Sequence, residues 1–153
     1  MRTRYLAGDR KPSEITDDYW IWADGPGPQP DRNDPHVGKW LIFVRAGEID
    51  DWWARIWPAV DRGDLGFRAK AATARDNTLQ RARNAMVICA YTRDWRDKDD
   101  VRRVLAGLRE LGVSWRLSYK TDDATLAGRY GDGSAIYVSQ PGTTTFDDRS
   151  GSS

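Results

Sequence analysis

Gly66-Phe67-Arg68-Ala69-Lys70-Ala71-Ala72-Thr73 alternates two kinds of side chain, and that alternation decides how the rest of the chain is read. A strand sends successive side chains to opposite faces. Arg68 and Lys70 therefore share one face, while Phe67, Ala69 and Ala71 take the other. The stretch belongs to a sheet with an apolar face to be covered and a cationic face to be explained.

Working back from this strand, Ile49, Trp52, Trp53, Ile56, Trp57 and Val60 fall at helical spacing and predict a helix over 49–61. Pro58 is expected to bend it or shorten its last turns, and Gly63 to end it. Lys39–Arg45, KWLIFVR, reads as a second strand, and Tyr19–Ala23, YWIWA, as a shorter one. Between them, the Gly/Pro-rich run from Asp24 to Gly38 is a long loop. Residues 1–18 read as a loosely held polar arm.

Working forward, residues 74–84 read as a loop or short helix. Met86–Tyr91 is the most apolar strand and belongs at the centre. Asp97–Leu111 is an amphipathic helix with acidic residues in its first turn and Gly112 as its stop. Trp115–Lys120 is a strand with Arg116, Ser118 and Lys120 on one face. A glycine-bearing loop leads to a final strand, Ala135–Ser139. Residues 140–153, rich in Gly, Ser and Thr, read as a flexible tail. About six strands and two long helices give an α+β sheet covered on one face by helices, with the other face left as a binding surface. A single domain over 19–139 accounts for the whole pattern.

Composition narrows the function classes. With 24 Lys and Arg against 23 Asp and Glu, the net charge is only +1, so no global field points to a general nucleic-acid binder. No apolar run is long enough to span a bilayer. Cys89 is the only cysteine, inside an apolar strand, and forms no internal disulfide. These features set the expectation of a cytoplasmic protein without membrane contact. Eight tryptophans serve first as core, and second as surfaces for stacking and cation–π contacts.

Metal chemistry lacks ligands. His36 is the single histidine and reads as an exposed loop residue. Asp94, Asp97, Asp99 and Asp100 fit a helix N-terminus better than a Mg²⁺ site. No nucleotide glycine motif appears, and no cofactor is expected. What remains is cationic: Lys39, Arg68, Lys70, Arg81, Arg83, Lys120 and Arg129 all lie in or near strand ends. A solvated face and an anion-binding cleft account for them about equally on periodicity alone.

WIWADG, GKWLIF, the tryptophan-rich helix, GFRAKAATA, MVICAYTRD, DVRRVLAGLRELGV and LSYKTDDATLAGRYGDGS resemble the basophilic-leukemia-expressed protein family over residues 19–139. The fold that this resemblance implies is similar to the mRNA cap-binding initiation factor 4E. That is a curved, mainly antiparallel sheet of six to eight strands with two or three helices on its convex face. In cap-binding proteins an Arg-x-Lys strand holds the cap phosphates, which Arg68 and Lys70 match, and Tyr91 stands where an aromatic touches the base. Trp20, Trp22 and Tyr91 are the candidates for an aromatic cleft. The base-sandwiching tryptophans have no counterpart in residues 24–37.

Residues 39–133 also resemble bacterial phosphothreonine lyases. Lys39-Trp40, Lys70, Arg81 or Arg83, Ser118-Tyr119-Lys120 and Gly128-Arg129-Tyr130-Gly131-Asp132-Gly133 follow the order of those enzymes' motifs. The resemblance implies Lys70 as the base that removes a Cα proton, with Lys39, Arg68, Arg81, Arg83, Lys120 and Arg129 holding phosphate. The position of the general-acid histidine in those enzymes is Leu41 here, with His36 the one substitute nearby. The expected function is phosphothreonine-lyase-like elimination from a phosphorylated peptide or phosphoester. The alternative is a non-catalytic module binding a nucleotide, RNA or phosphate, and the plainest alternative is a scaffold whose cations pair with its own acids.

Overall fold

The computed structural model describes residues 5–31, 34–75, 84–122 and 135–149. Within them, eight strands build one sheet: β1 (Tyr5–Leu6), β2 (Trp20–Asp24), β3 (Gly38–Arg45), β4 (Arg68–Ala72), β5 (Ala85–Thr92), β6 (Leu117–Thr121), β7 (Tyr137–Ser139) and β8 (Asp147–Asp148). Their order is β1-β2-β4-β5-β3-β6-β7-β8. All neighbours are antiparallel except β1 and β2. The apolar strand around Met86–Tyr91 stands near the middle, as its composition requires.

Directly opposed residues in a sheet share a face. Ile21, Ala69, Ala71, Ile88, Ala90, Trp40, Ile42, Tyr119 and Tyr137 therefore line one side, and each is at most 1% exposed. Two helices cover this side, α1 (Ile49–Asp61) and α2 (Lys98–Glu110). α1 buries Ile49, Trp53, Ile56 and Val60. α2 buries Val101, Val104, Leu105 and Leu108, the spacing of one helical stripe. The Trp40 indole donates to the Val101 carbonyl at 3.1 Å and ties α2 to β3. At the start of α2, the Asp97 carboxylate accepts from the Asp100 backbone N–H at 3.2 Å, the helix-start role anticipated for the acidic cluster.

Pro58 does not shorten α1, which runs on to Asp61 with the Arg62 N–H donating to the Pro58 carbonyl at 3.0 Å. The carbonyl that Pro58 leaves unmatched belongs to Ala54, an exposed position.

The expected arm and tail need correction. Residues 5–18 are anchored: Ile15 is fully buried, Pro12 is buried, and Ser13 binds Asp50 of α1 through its backbone N–H at 2.9 Å. Residues 140–149 are held as well. The Arg109 guanidinium donates to the carbonyls of Gln140 at 2.9 Å and Thr143 at 2.8 Å, and the Phe146 ring lies 4.4 Å from that of Tyr137. Single anchors of this kind leave no periodic trace in a polar sequence. β8 then pairs with β7.

Among the described residues no helix packs on the other face, yet its centre is closed. Lys39 and Lys120 are each 1% exposed, and Cys89, Tyr91, Leu41 and Ser118 are all buried. The half-exposed part is the flank formed by β2 and β4, so the open surface expected over the whole face is confined to that flank.

A cationic and aromatic candidate site

The site is assembled by register. Trp22 lies opposite Lys70 and Asp24 opposite Arg68 across β2 and β4. Arg68 lies opposite Tyr91, and Lys70 opposite Cys89, across β4 and β5. Lys39 then lies opposite both Tyr91 and Lys120. Four cations and three aromatics thus share one face within four successive strands and the β6 neighbour.

Gly66 lets the chain enter β4 at this point. A Cβ there would fall 1.7 Å from the Tyr91 carbonyl oxygen, so only glycine permits the approach of β4 to the end of β5.

Lys70 is the centre of the arrangement. Its Nζ stands 3.8 Å from the Trp20 ring centroid, 5.3 Å from Trp22 and 5.9 Å from Tyr91. Burial lowers its pKa below the ordinary lysine value, and the charges of Lys39 and Arg68 act in the same direction. The Asp122 carboxylate opposes the shift. Burial pushes the Cys89 thiol and the Tyr91 phenol up, so both stay protonated beside the amine at neutral pH.

Two of the other cations, Arg68 and Lys39, have carboxylate partners. Arg68 Nε donates to Asp24 Oδ1 at 2.9 Å, and its guanidinium lies 5.2 Å from the Trp22 ring. Lys39 Nζ donates to Asp122 Oδ1 at 3.0 Å and lies 5.4 Å from the Tyr91 ring. The closest described partners of Lys70 are rings. The two carboxylates escaped the sequence reading, although period-2 alternation from Trp20 and Trp22 does carry Asp24 onto this face.

Of the residues expected at the site, Lys39, Arg68, Lys70, Lys120, Trp20, Trp22 and Tyr91 come together on this face. Arg81, Arg83 and Arg129 lie outside the described residues. His36 is engaged elsewhere: its Nδ1 lies 3.2 Å from Asp34 Oδ1, and its carbonyl accepts from the Trp95 N–H at 2.8 Å. Leu41 sits between Cys89 and Ser118, buried on the cationic face.

The acidic cluster is spoken for by Arg96, Arg102 and Arg103 and by the start of α2. Arg96 holds the Asp94 carboxyl down at about 2. Among the described residues, no group of three or more His, Cys, Asp or Glu is placed to hold a metal ion. An open cleft of about 350 Å³ adjoins the Arg68 end of the sheet, where Phe67, Arg93, Asp97 and Arg103 contribute to its lining. None of the four cations of the site lines it. The cationic face is filled instead by its own side chains, Lys70 lying against tryptophan.

The pattern of strands and helix that carries these cations matches the family described as basophilic leukemia-expressed protein Bles03, over residues 31–126. The chain belongs to this family. The Bles03 stretch contains β3, α1, β4, β5, α2 and β6, and with them Lys39, Arg68, Lys70, Tyr91, Lys120 and Asp122. Trp20, Trp22 and Asp24 lie before it. In this Bles03 chain the cationic half of the site thus falls within the matched stretch, and the half-exposed aromatic flank is supplied from outside it. No helix among the described residues is long and apolar enough to cross a membrane.

Proposed function

We propose that the cationic face binds a phosphorylated ligand, and that Lys70 acts there as the base of an elimination that releases phosphate. The observation that carries the proposal is Lys70 itself: an amine shifted toward its neutral form, beside a second face-sharing cation and three aromatic rings. A neutral lysine amine is a usable base near neutral pH, whereas an ordinary ammonium is not. In the proposed step, Lys70 Nζ takes the proton from the carbon next to the one bearing phosphate. The released electron pair forms a carbon–carbon double bond, the carbon–oxygen bond breaks, and phosphate departs with its electrons. Lys39, Arg68 and Lys120 stabilise that departing charge, and Arg81, Arg83 and Arg129 extend the proposed set. With Leu41 at the position that corresponds to the histidine of phosphothreonine lyases, the leaving group in this proposal depends on cations alone, and slow turnover is expected.

The fold proposed for the whole chain is the initiation-factor-4E-like arrangement, in a cytoplasmic setting. A second reading is favoured by a specific observation, the half-exposure of Trp20 and Trp22 next to Arg68 and Lys70. That pairing suits a base stacked on indole with its phosphate on the cations, as in a non-catalytic nucleotide or RNA module. The two readings separate by intact-mass analysis of phosphothreonine and phosphoserine peptides incubated with the protein and with Lys70→Ala. Loss of phosphoric acid only with Lys70 intact supports the lyase. Unchanged peptides, with nucleotide binding weakened in the variant by about 1–3 kcal/mol, support the module.

A further inference from the structure

We infer that Lys70 is also a carbonyl-directed nucleophile, forming an imine with a phosphorylated aldehyde or ketone on the half-exposed flank between β2 and β4. The inference rests on the phosphate reading of this face, and it names a ligand class for it. Two features are known to activate a lysine amine as a nucleophile: removal from water into an apolar pocket, and the nearness of another cation. Lys70 has both. Trp20, Trp22 and Tyr91 surround its Nζ, and Lys39 and Arg68 act on it through their charge.

The chemistry balances without any oxidant or reductant. The Nζ lone pair adds to the carbonyl carbon, the carbonyl π pair moves to oxygen, and proton transfer gives a carbinolamine. Uptake of one proton from solvent and loss of water then leave a protonated C=N bond. The product is a protonated imine, a cation again, and the Trp20 ring face 3.8 Å from Nζ is the surface that suits it. The phosphate of such a ligand is drawn to the same cations. Lys70 keeps partial exposure, and a carbonyl would approach from that side.

Two other features carry less. The cleft near Arg93 is lined by ion pairs already closed on themselves, and Cys89 is buried with no second group directing a ligand to it.

The test uses the unmodified protein with glyceraldehyde 3-phosphate and, separately, glyceraldehyde, each trapped with cyanoborohydride and mapped by peptide mass spectrometry. The expected result is one principal adduct, on Lys70. Labelling by the phosphorylated probe should be about tenfold faster, the effect of a single charge-assisted phosphate contact. Inorganic phosphate should suppress that advantage. Adducts spread over exposed lysines, with Lys70 unlabelled, overturn the inference. If inorganic phosphate still quenches tryptophan fluorescence in that case, phosphate binding survives and only the imine falls. Equal labelling of Lys70 by both probes, insensitive to phosphate, overturns the assigned ligand class and the phosphate reading together. Lys70→Arg, which keeps the charge but cannot form an imine, should lose the adduct.

Discussion

Two pairs of cations share one face of this sheet and differ in how far they are withdrawn from water. Lys39 and Lys120, opposite one another at the closed centre, are each 1% exposed, and Lys39 is held by Asp122. Arg68 and Lys70, on the flank, are half-buried and lie against indole rings. A charge removed from water needs a formal counter-charge, because the desolvation cost is several kcal/mol per ion. A charge that keeps part of its hydration can rest on an aromatic face, a contact of about 0.5–2 kcal/mol. The difference leaves the flank as the more accessible part of this face.

The largest way to break this comparison is to separate the strands that present it. Gly66→Ala places a methyl against the Tyr91 carbonyl and forces β4 off β5. The expected cost is about 3 kcal/mol or more, read as a lower urea midpoint. Next come the two carboxylates. Asp122→Asn leaves Lys39 buried without its counter-charge and should cost about 2–3 kcal/mol, less than a fully buried pair because Asp122 is 29% exposed. Asp24→Asn should cost about 1 kcal/mol or less, since both members of its pair meet solvent. Equal costs in urea denaturation would erase the distinction between centre and flank.

A smaller effect is expected at the ring. Trp20→Leu removes the nearest aromatic face, costing about 1 kcal/mol, and admits water to Lys70. The Lys70 amine, followed by NMR of labelled lysine, should then titrate closer to the ordinary lysine value.

The smallest effect is the pH dependence that Lys70 imposes. Because its folded pKa lies below the unfolded value of 10.5, the native state binds fewer protons than the unfolded chain between the two. Lys70 therefore weakens the fold most below its folded pKa, and the penalty fades as pH rises toward 10.5. Lys70→Met should be more stable than the unmodified protein at neutral pH, with the advantage shrinking through that window in urea titrations at stepped pH. An advantage that grows with pH would contradict the lowered pKa.

These outcomes bear on residues of unequal legibility. The face shared by Arg68 and Lys70 follows from strand alternation alone, and the helix over 49–61 from its apolar spacing. Both signals are local and repeat several times. The counter-charges are another matter: Asp24 is 44 residues from Arg68, and Asp122 is 83 from Lys39. No periodicity links positions so far apart, so these pairings emerge only once the strands are in order. β1 and β8 have two residues each, too few to show any period. Part of the packing of residues 140–149 runs through one guanidinium, Arg109, which donates to the carbonyls of Val113, Trp115, Gln140 and Thr143. A single side chain that gathers several turns has no sequence signature beyond being an arginine.

The composition of β8 has a bearing on how molecules of this chain behave in each other's company. An open sheet ends in strands whose unpaired backbone groups invite another chain to add itself, the first step toward aggregation. Here the described strand at one end of the order is a pair of aspartates, Asp147 and Asp148, both exposed. A second copy docking edge to edge would bring Asp147 toward further acid at a 4.7–4.9 Å strand spacing, while Asp148 is already paired with Lys98, so the composition of β8 disfavours that pairing.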